Sequence, residues 1–285
     1  MANRTRAERK PLGQFWTPQL IADFMLELVG FDPLWKVIDP ACGEGVFLMR
    51  ATERGCGTAV GVDIDPEALK RAQYLLNGKV SSVKLFCQDG LDPIQSENVF
   101  WQGNYDLVIG NPPFAGTGYR IRDLRVLSRF ELSKVRMNPE QNGSIEQGVL
   151  FDFPIEAKRQ KPSQAIEVLF LERFVQLCKP NGKICVILPE GVFTNSSLRQ
   201  VREWMVSNFQ VRAIIGLPRE TFRSVGTTAK TVILYLQNCP PTEHNQTFLA
   251  EITQADWDSG LNADGNAQLI RILELFCKFW ENPSN

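Results

Sequence analysis

The sequence predicts an α/β protein: a seven-stranded, mainly parallel sheet with helices on both faces and the last strand antiparallel. Three observations lead there. Short apolar runs alternate with amphipathic helical runs along most of the chain, the pattern of a sheet wound with crossover helices. The helical runs carry Pro and Gly where helices start and stop. The last two apolar runs are joined by a connection with no helical pattern, so the second of them returns antiparallel.

In chain order, "KVIDP" (36–40) reads as a short buried strand, followed by a Gly-rich turn and helix in "ACGEGVFLMRATER" (41–54). "TAVGVDID" (58–65) is a second strand, and "PEALKRAQYLLNG" (66–78) a helix from Pro66 to Gly78. "SVKLFCQD" (82–89) and "YDLVIGN" (105–111) are the third and fourth strands. "SQAIEVLFLERFVQLCKPNG" (163–182) predicts an amphipathic helix with Ser163 as cap and Gly182 as stop. "KICVILP" (183–189), "QVRAIIGLP" (210–218) and "AKTVILYLQ" (229–237) are the remaining strands, with a helix at 197–209. Residues 1–12 form a basic arm, 13–240 the main domain, 115–162 a long inserted loop, and 241–285 a tail.

Composition narrows the chemistry. The chain has 285 residues, 44% hydrophobic and 22% charged, enough for a sizeable core. No apolar run reaches the roughly 18 residues of a membrane span, and the N-terminus lacks the apolar stretch of a secretory signal. Seven cysteines, none in a CxxC pair, suit reduced thiols in the cytoplasm. The one histidine, His244, lies in a polar loop, which argues against metal centres and His-based nucleophilic triads. With a net charge of −1, nucleic acid would have to be met by local patches. One such patch is Arg120, Arg122, Arg125 and Arg129, spaced at two, three and four residues.

In such sheets, ligands bind beyond the carboxyl ends of the strands. Asp39, Asp63, Asp89 and Asn111 stand there. The first turn, "DPACGEGVF", matches neither a dinucleotide fingerprint nor a P-loop, and it is surrounded by acids rather than cations. Acids beside a Gly-rich turn suit a ligand with a positive charge, a ribose and an exocyclic amine, as in S-adenosylmethionine. Gly43 and Gly45 admit its amino-acid end because neither has a Cβ. Asp63 is suited to the ribose hydroxyls, Ile64 to the adenine face and Asp89 to the adenine amine. Asp65, just before Pro66, reads instead as a helix cap. At 111–114, Asn111 and the Pro112 carbonyl form a pair of acceptors for an amine. Pro113 stiffens the turn and Phe114 offers a stacking face.

"DPACGEGVF" followed by "NPPF" resembles the adenine-N6 DNA methyltransferases of the gamma class, in which the cofactor motif precedes the catalytic one. The chain is similar in particular to the modification subunits of type I restriction–modification systems and related N-6 DNA methylases. "GQFWTPQLIADFM" (13–25), "VILPEGVF" (186–193) and "IIGLPRETFRSVGTTAKTVILYL" (214–236) extend the resemblance over residues 13–238 in the family's order. It implies a Rossmann-like class I S-adenosylmethionine-dependent methyltransferase fold acting on adenine in DNA. It implies that Phe15, Thr17 and Pro18 enclose the methionine end of the cofactor. Pro40, Ala41, Cys42, Phe47 and Gly90 complete the expected cofactor surface, and Phe222 is expected as a second aromatic against the flipped base.

Two alternatives share these motifs. Methyltransferases of protein glutamine amides or rRNA bases use a similar Asn-Pro-Pro-aromatic turn, more often with Tyr, and a cofactor-binding subunit without turnover would also carry the turn. The 45 residues 241–285 are too short for an independent target-recognition domain, so sequence choice is expected from the inserted loop or from a separate specificity subunit. The tail's amphipathic helix, 267–280, either packs on its own sheet or docks that partner.

Overall fold

The structure, a computed structural model, describes residues 17–76, 83–93, 103–114, 120–134, 162–222, 229–242, 246–253 and 263–281. The basic arm, Phe15, His244 and most of the inserted loop lie outside the described residues.

The helices are α1 (Gln19–Leu28), α2 (Val46–Glu53), α3 (Pro66–Leu76), α4 (Leu124–Leu127), α5 (Glu131–Lys134), α6 (Ile166–Leu177), α7 (Gly191–Thr194), α8 (Arg199–Asn208) and α9 (Ala263–Glu281). The strands are β1 (Lys36–Asp39), β2 (Thr58–Asp63), β3 (Val83–Cys87), β4 (Tyr105–Gly110), β5 (Arg120–Ile121), β6 (Gln164–Ala165), β7 (Cys178–Pro189), β8 (Gln210–Leu217), β9 (Thr231–Gln237) and β10 (Phe248–Glu251).

The main sheet has eight strands in the order β10-β8-β9-β7-β4-β1-β2-β3. β9 runs antiparallel to both neighbours, as expected from the short connection before it, and the other pairings are parallel. The eighth strand corrects the expected count of seven. β10 comes from the tail and pairs parallel to β8, and its four residues are too few to show a clear apolar alternation. Strand order reverses between β1 and β4, which opens a crevice at their carboxyl ends.

Period-two alternation sends successive strand residues into two separate cores. Val37, Cys185 and Ile187 pack in one layer with α1, α2 and α9. Ile38, Ile184, Val186 and Leu188 pack in the other with α6 and α8. The tail helix belongs to the first layer: Leu269, Ile272 and Phe276 are 3%, 7% and 9% exposed. Phe276 stacks edge-on with Phe248, ring centres 5.5 Å apart, and Arg212 lies 3.4 Å over the Trp280 ring. Of the two alternatives for this helix, packing on its own sheet is what the structure shows.

Two other expectations are corrected. The helix placed at 163–182 spans Ile166–Leu177, and the chain turns into β7 at once, with Asn181 in the left-handed region at φ 62°. Ser163 does not cap it; its hydroxyl and carbonyl accept from Arg120 at 2.8 and 2.6 Å. The described part of the inserted loop is packed structure. Glu172 on α6 accepts the N–H groups of Glu131 and Leu132 at 2.6 and 2.8 Å, and Leu127, Phe130 and Leu132 are buried in the second layer.

Candidate active site

β1 ends at Asp39, 1% exposed, whose Oδ1 accepts the Ala41 N–H at 3.0 Å. Burial pushes this carboxyl well above its usual range; the Ala41 amide works against that and the nearby Asp63 charge adds to it. The following turn is stitched to β2. The Cys42 N–H donates to the Val62 carbonyl at 2.8 Å, and the Gly43 N–H to Asp63 Oδ2 at 2.7 Å. Gly43 and Gly45 hold φ of 52° and 80°, a region that disfavours side chains. A Cβ at Gly43 would meet no atom within 4 Å, so the turn borders open space.

Asp63 also accepts the Asp65 N–H at 2.8 Å, and the Gln88 N–H reaches its carbonyl at 3.0 Å. Beside it, Ile64 is 57% exposed, an apolar face open to a ligand. Asp65 accepts the Glu67 N–H at 3.0 Å and therefore caps α3, as its place before Pro66 suggests. Glu44, within the turn, is paired with Arg71 of α3 at 2.6 Å. Phe47 is buried in the first core layer.

Asp89, half-buried, accepts the Leu91 N–H at 2.9 Å, and burial raises its carboxyl above the ordinary value. Gly90 makes this approach possible, because a Cβ there would stand 2.0 Å from the carbonyl oxygen of Pro40. That contact draws the third strand end against the first turn. It also accounts for the glycine, which no local turn pattern explains.

Asn111 follows β4, the strand beside β1. Its Nδ2 donates to Thr17 Oγ1 at 3.1 Å across 94 positions of sequence. Thr17 is buried, and the next residue, Pro18, starts α1 by accepting the Ile21 N–H at 3.0 Å. Thr17 therefore sets the orientation of the amide, a role that residue types alone do not reveal. Pro112 is buried and Pro113 half-buried. Phe114 and Phe222 are 1% and 0% exposed, so both rings lie inside rather than on an open stacking face.

The arginine patch divides. Arg120, in β5, is bound to Ser163, and Arg129 pairs with Asp92 at 2.7 Å. Arg125 pairs with Asp123 at 2.8 Å on the surface, and Arg122 is exposed. The four do not share one helix. Among the described residues there is no group of three or more His, Cys, Asp or Glu fit to hold a metal, and no helix long and apolar enough to cross a membrane.

A family model described as N-6 DNA Methylase matches residues 1–283. The chain is 26% identical over 225 residues to the type II restriction enzyme and methyltransferase RM.BcgI of Heyndrickxia coagulans, covering 78% of this chain and 31% of that protein. It is 23% identical over 249 residues to the type I restriction enzyme EcoEI methylase subunit of Escherichia coli, covering 81% and 44%. It thus spans less than half the length of these relatives. Among solved structures it is similar to a protein assigned to the class I S-adenosylmethionine-dependent methyltransferases from Listeria monocytogenes. The TM-score is 0.63, at 21% identity and 96% and 73% coverage. It is also similar to a chain of a type I restriction–modification system, with a TM-score of 0.65 at 22% identity and 97% and 53% coverage. These likenesses establish the fold.

Proposed function

The chain belongs to the N-6 DNA methylase family, and from that premise we propose that it transfers a methyl group from S-adenosylmethionine to the N6 amine of adenine in DNA, as the modification subunit of a restriction–modification or related system. The observation that carries the reading is the placement of the Asn111 amide, held by Thr17 at the end of β4, beside the Gly43–Asp63 turn at the ends of β1 and β2.

The site fits an adenosyl ligand. Open space lies beside Gly43, carboxylates suited to hydroxyl and amine donors stand at Asp63 and Asp89, and Ile64 offers an exposed apolar face. S-adenosylmethionine, when bound, supplies a methyl already activated on a sulfonium. Asp63 accepts from the ribose hydroxyls, Asp89 from the adenine amine, and Ile64 packs on the ring. Pro40, Ala41, Cys42 and Gly90 line the turn, Phe47 supports it from the core, and Thr17 and Pro18 stand toward the methionine end, where the family resemblance also assigns Phe15, outside the described residues.

An adenine amine is a weak nucleophile because its lone pair is delocalised into the ring. Asn111 Oδ1 and the Pro112 carbonyl accept its two hydrogens and favour a tetrahedral nitrogen. Pro113 stiffens the turn. Phe114 and Phe222 are assigned to hold the flipped base; both rings are buried and must become accessible to do so. Incubating the chain with its genomic neighbours' products, DNA and labelled cofactor should produce N6-methyladenine, read by mass spectrometry. Cofactor binding without any N6-methyladenine would reject the reaction.

Asp63→Ala should weaken cofactor binding in calorimetry by about 1.5–3 kcal/mol for each lost hydrogen bond to the charged acceptor. A folded variant with unchanged affinity would remove Asp63 from the ribose site. DNA contact falls to Arg122, which is exposed, and to Arg125, whose pair with Asp123 lies on the open surface, while Arg120 is held by Ser163 and Arg129 by Asp92. Neutralising Arg122 and Arg125 should flatten the salt dependence of DNA binding by about one log–log unit per lost phosphate contact, for all sequences alike. An unchanged slope would make them plain surface. Sequence choice is assigned to a separate specificity subunit, which must dock elsewhere than on the apolar face of α9, because that face is buried in its own core.

A further inference from the structure

Glu167 stands in the first turn of α6, and the reaction as described above does not use it. Its Oε2 is buried and, among the described residues, has no hydrogen-bond partner. Burial raises this carboxyl above its ordinary value; its own backbone N–H and the charge of Arg120 work against that. A buried acceptor left unmatched costs free energy, so such a group calls for an explanation.

The helix itself shows where the carboxyl sits. Glu167, Phe170 and Phe174 recur at intervals of three and four residues and so share one face. A Cβ at Gly110, the last residue of β4, would lie 3.1 Å from the Phe174 ring, and a Cβ at Gly90 would lie 3.1 Å from the Phe170 ring. The face therefore climbs past the strand ends, and Glu167 is one turn further on. Arg173 fastens the helix to the turn that carries Asp89, donating to the carbonyls of Gly90 and Asp92, each at 3.0 Å. Glu167 and Asp89 are thus held on two elements that are bolted together, above the same crevice.

The geometry points to Glu167 as a second acceptor for the exocyclic amine of the cofactor's adenine, taking one amine hydrogen while Asp89 takes the other. This rests on the cofactor reading above. A planar amine presents two hydrogens in one plane. The two hydrogens of a planar amine point about 120° apart, so a single carboxylate on one side of it meets one of them well and leaves the other to a second acceptor. A two-acceptor clasp also selects against purines that carry oxygen at this position, which would present an acceptor to two acceptors.

The test is calorimetry without DNA, using S-adenosylhomocysteine and its purine-riboside analogue, which has hydrogen in place of the 6-amino group. Glu167→Met, close in size but without an acceptor, should weaken the amine-bearing ligand on the order of tenfold and leave the analogue unchanged. Glu167→Gln, which keeps an acceptor oxygen, should weaken the amine-bearing ligand by less, on the order of threefold, again sparing the analogue. Equal effects on both ligands in both variants, or no effect on either, would overturn the assignment. If the unaltered protein binds neither ligand, the cofactor reading fails instead.

Discussion

Asn111→Ala is expected to abolish methyl transfer while cofactor affinity stays near that of the unaltered protein. The amide acts where charge develops on the amine nitrogen, and losing one preorganised group of this kind costs at least about a hundredfold in rate. The cofactor acceptors Asp63, at the end of β2, and Asp89, just past β3, are held by their own backbone bonds, to Gly43 and Leu91. Binding and chemistry should therefore separate. Thr17→Val, which keeps the shape but removes the oxygen that receives Nδ2, should lower the rate by a smaller factor, since the amide stays but loses one of the contacts that orient it. Single-turnover rates with a cognate complex provide the measurement. Retention of most of the rate in Asn111→Ala would disprove the two-acceptor grip.

Removing residues 266–285 is expected to destroy the fold rather than detach a partner. The segment carries Leu269, Ile272 and Phe276 into the first core layer, against Tyr235 and Phe248. Each large buried apolar side chain lost costs about 2–5 kcal/mol, and three together rival the whole stability of an ordinary domain. The truncated chain should be insoluble, or should unfold well below the intact one in a thermal melt. Phe276→Ala alone should shift the melt in the same direction. A soluble truncated chain with unchanged melting and cofactor affinity would return the helix to the surface.

The sequence by itself determined the order of seven strands and of the helices between them, the antiparallel turn-back of β9 and the acids at the strand ends; it did not show α1 as a helix before β1. These follow from local signals: period-two runs, Pro66 at a helix start, Asp65 before it and glycines in the first turn. Family membership was legible in the same way, from blocks kept in one order. Only the tertiary structure decided the rest, because the rest depends on groups distant in sequence. β10 is four residues long and forms where β8 offers an open edge. The four-residue helices 124–127 and 131–134 are too short to show a period, and Glu172 receives the second through its amides. Arg120 belongs to Ser163 and Asn111 to Thr17 through folding alone. A composition of apolar and acidic residues states what a chain can bury and bind. Which carboxylate faces an amide, and which faces the crevice, is settled when helices pack and close the distance between them.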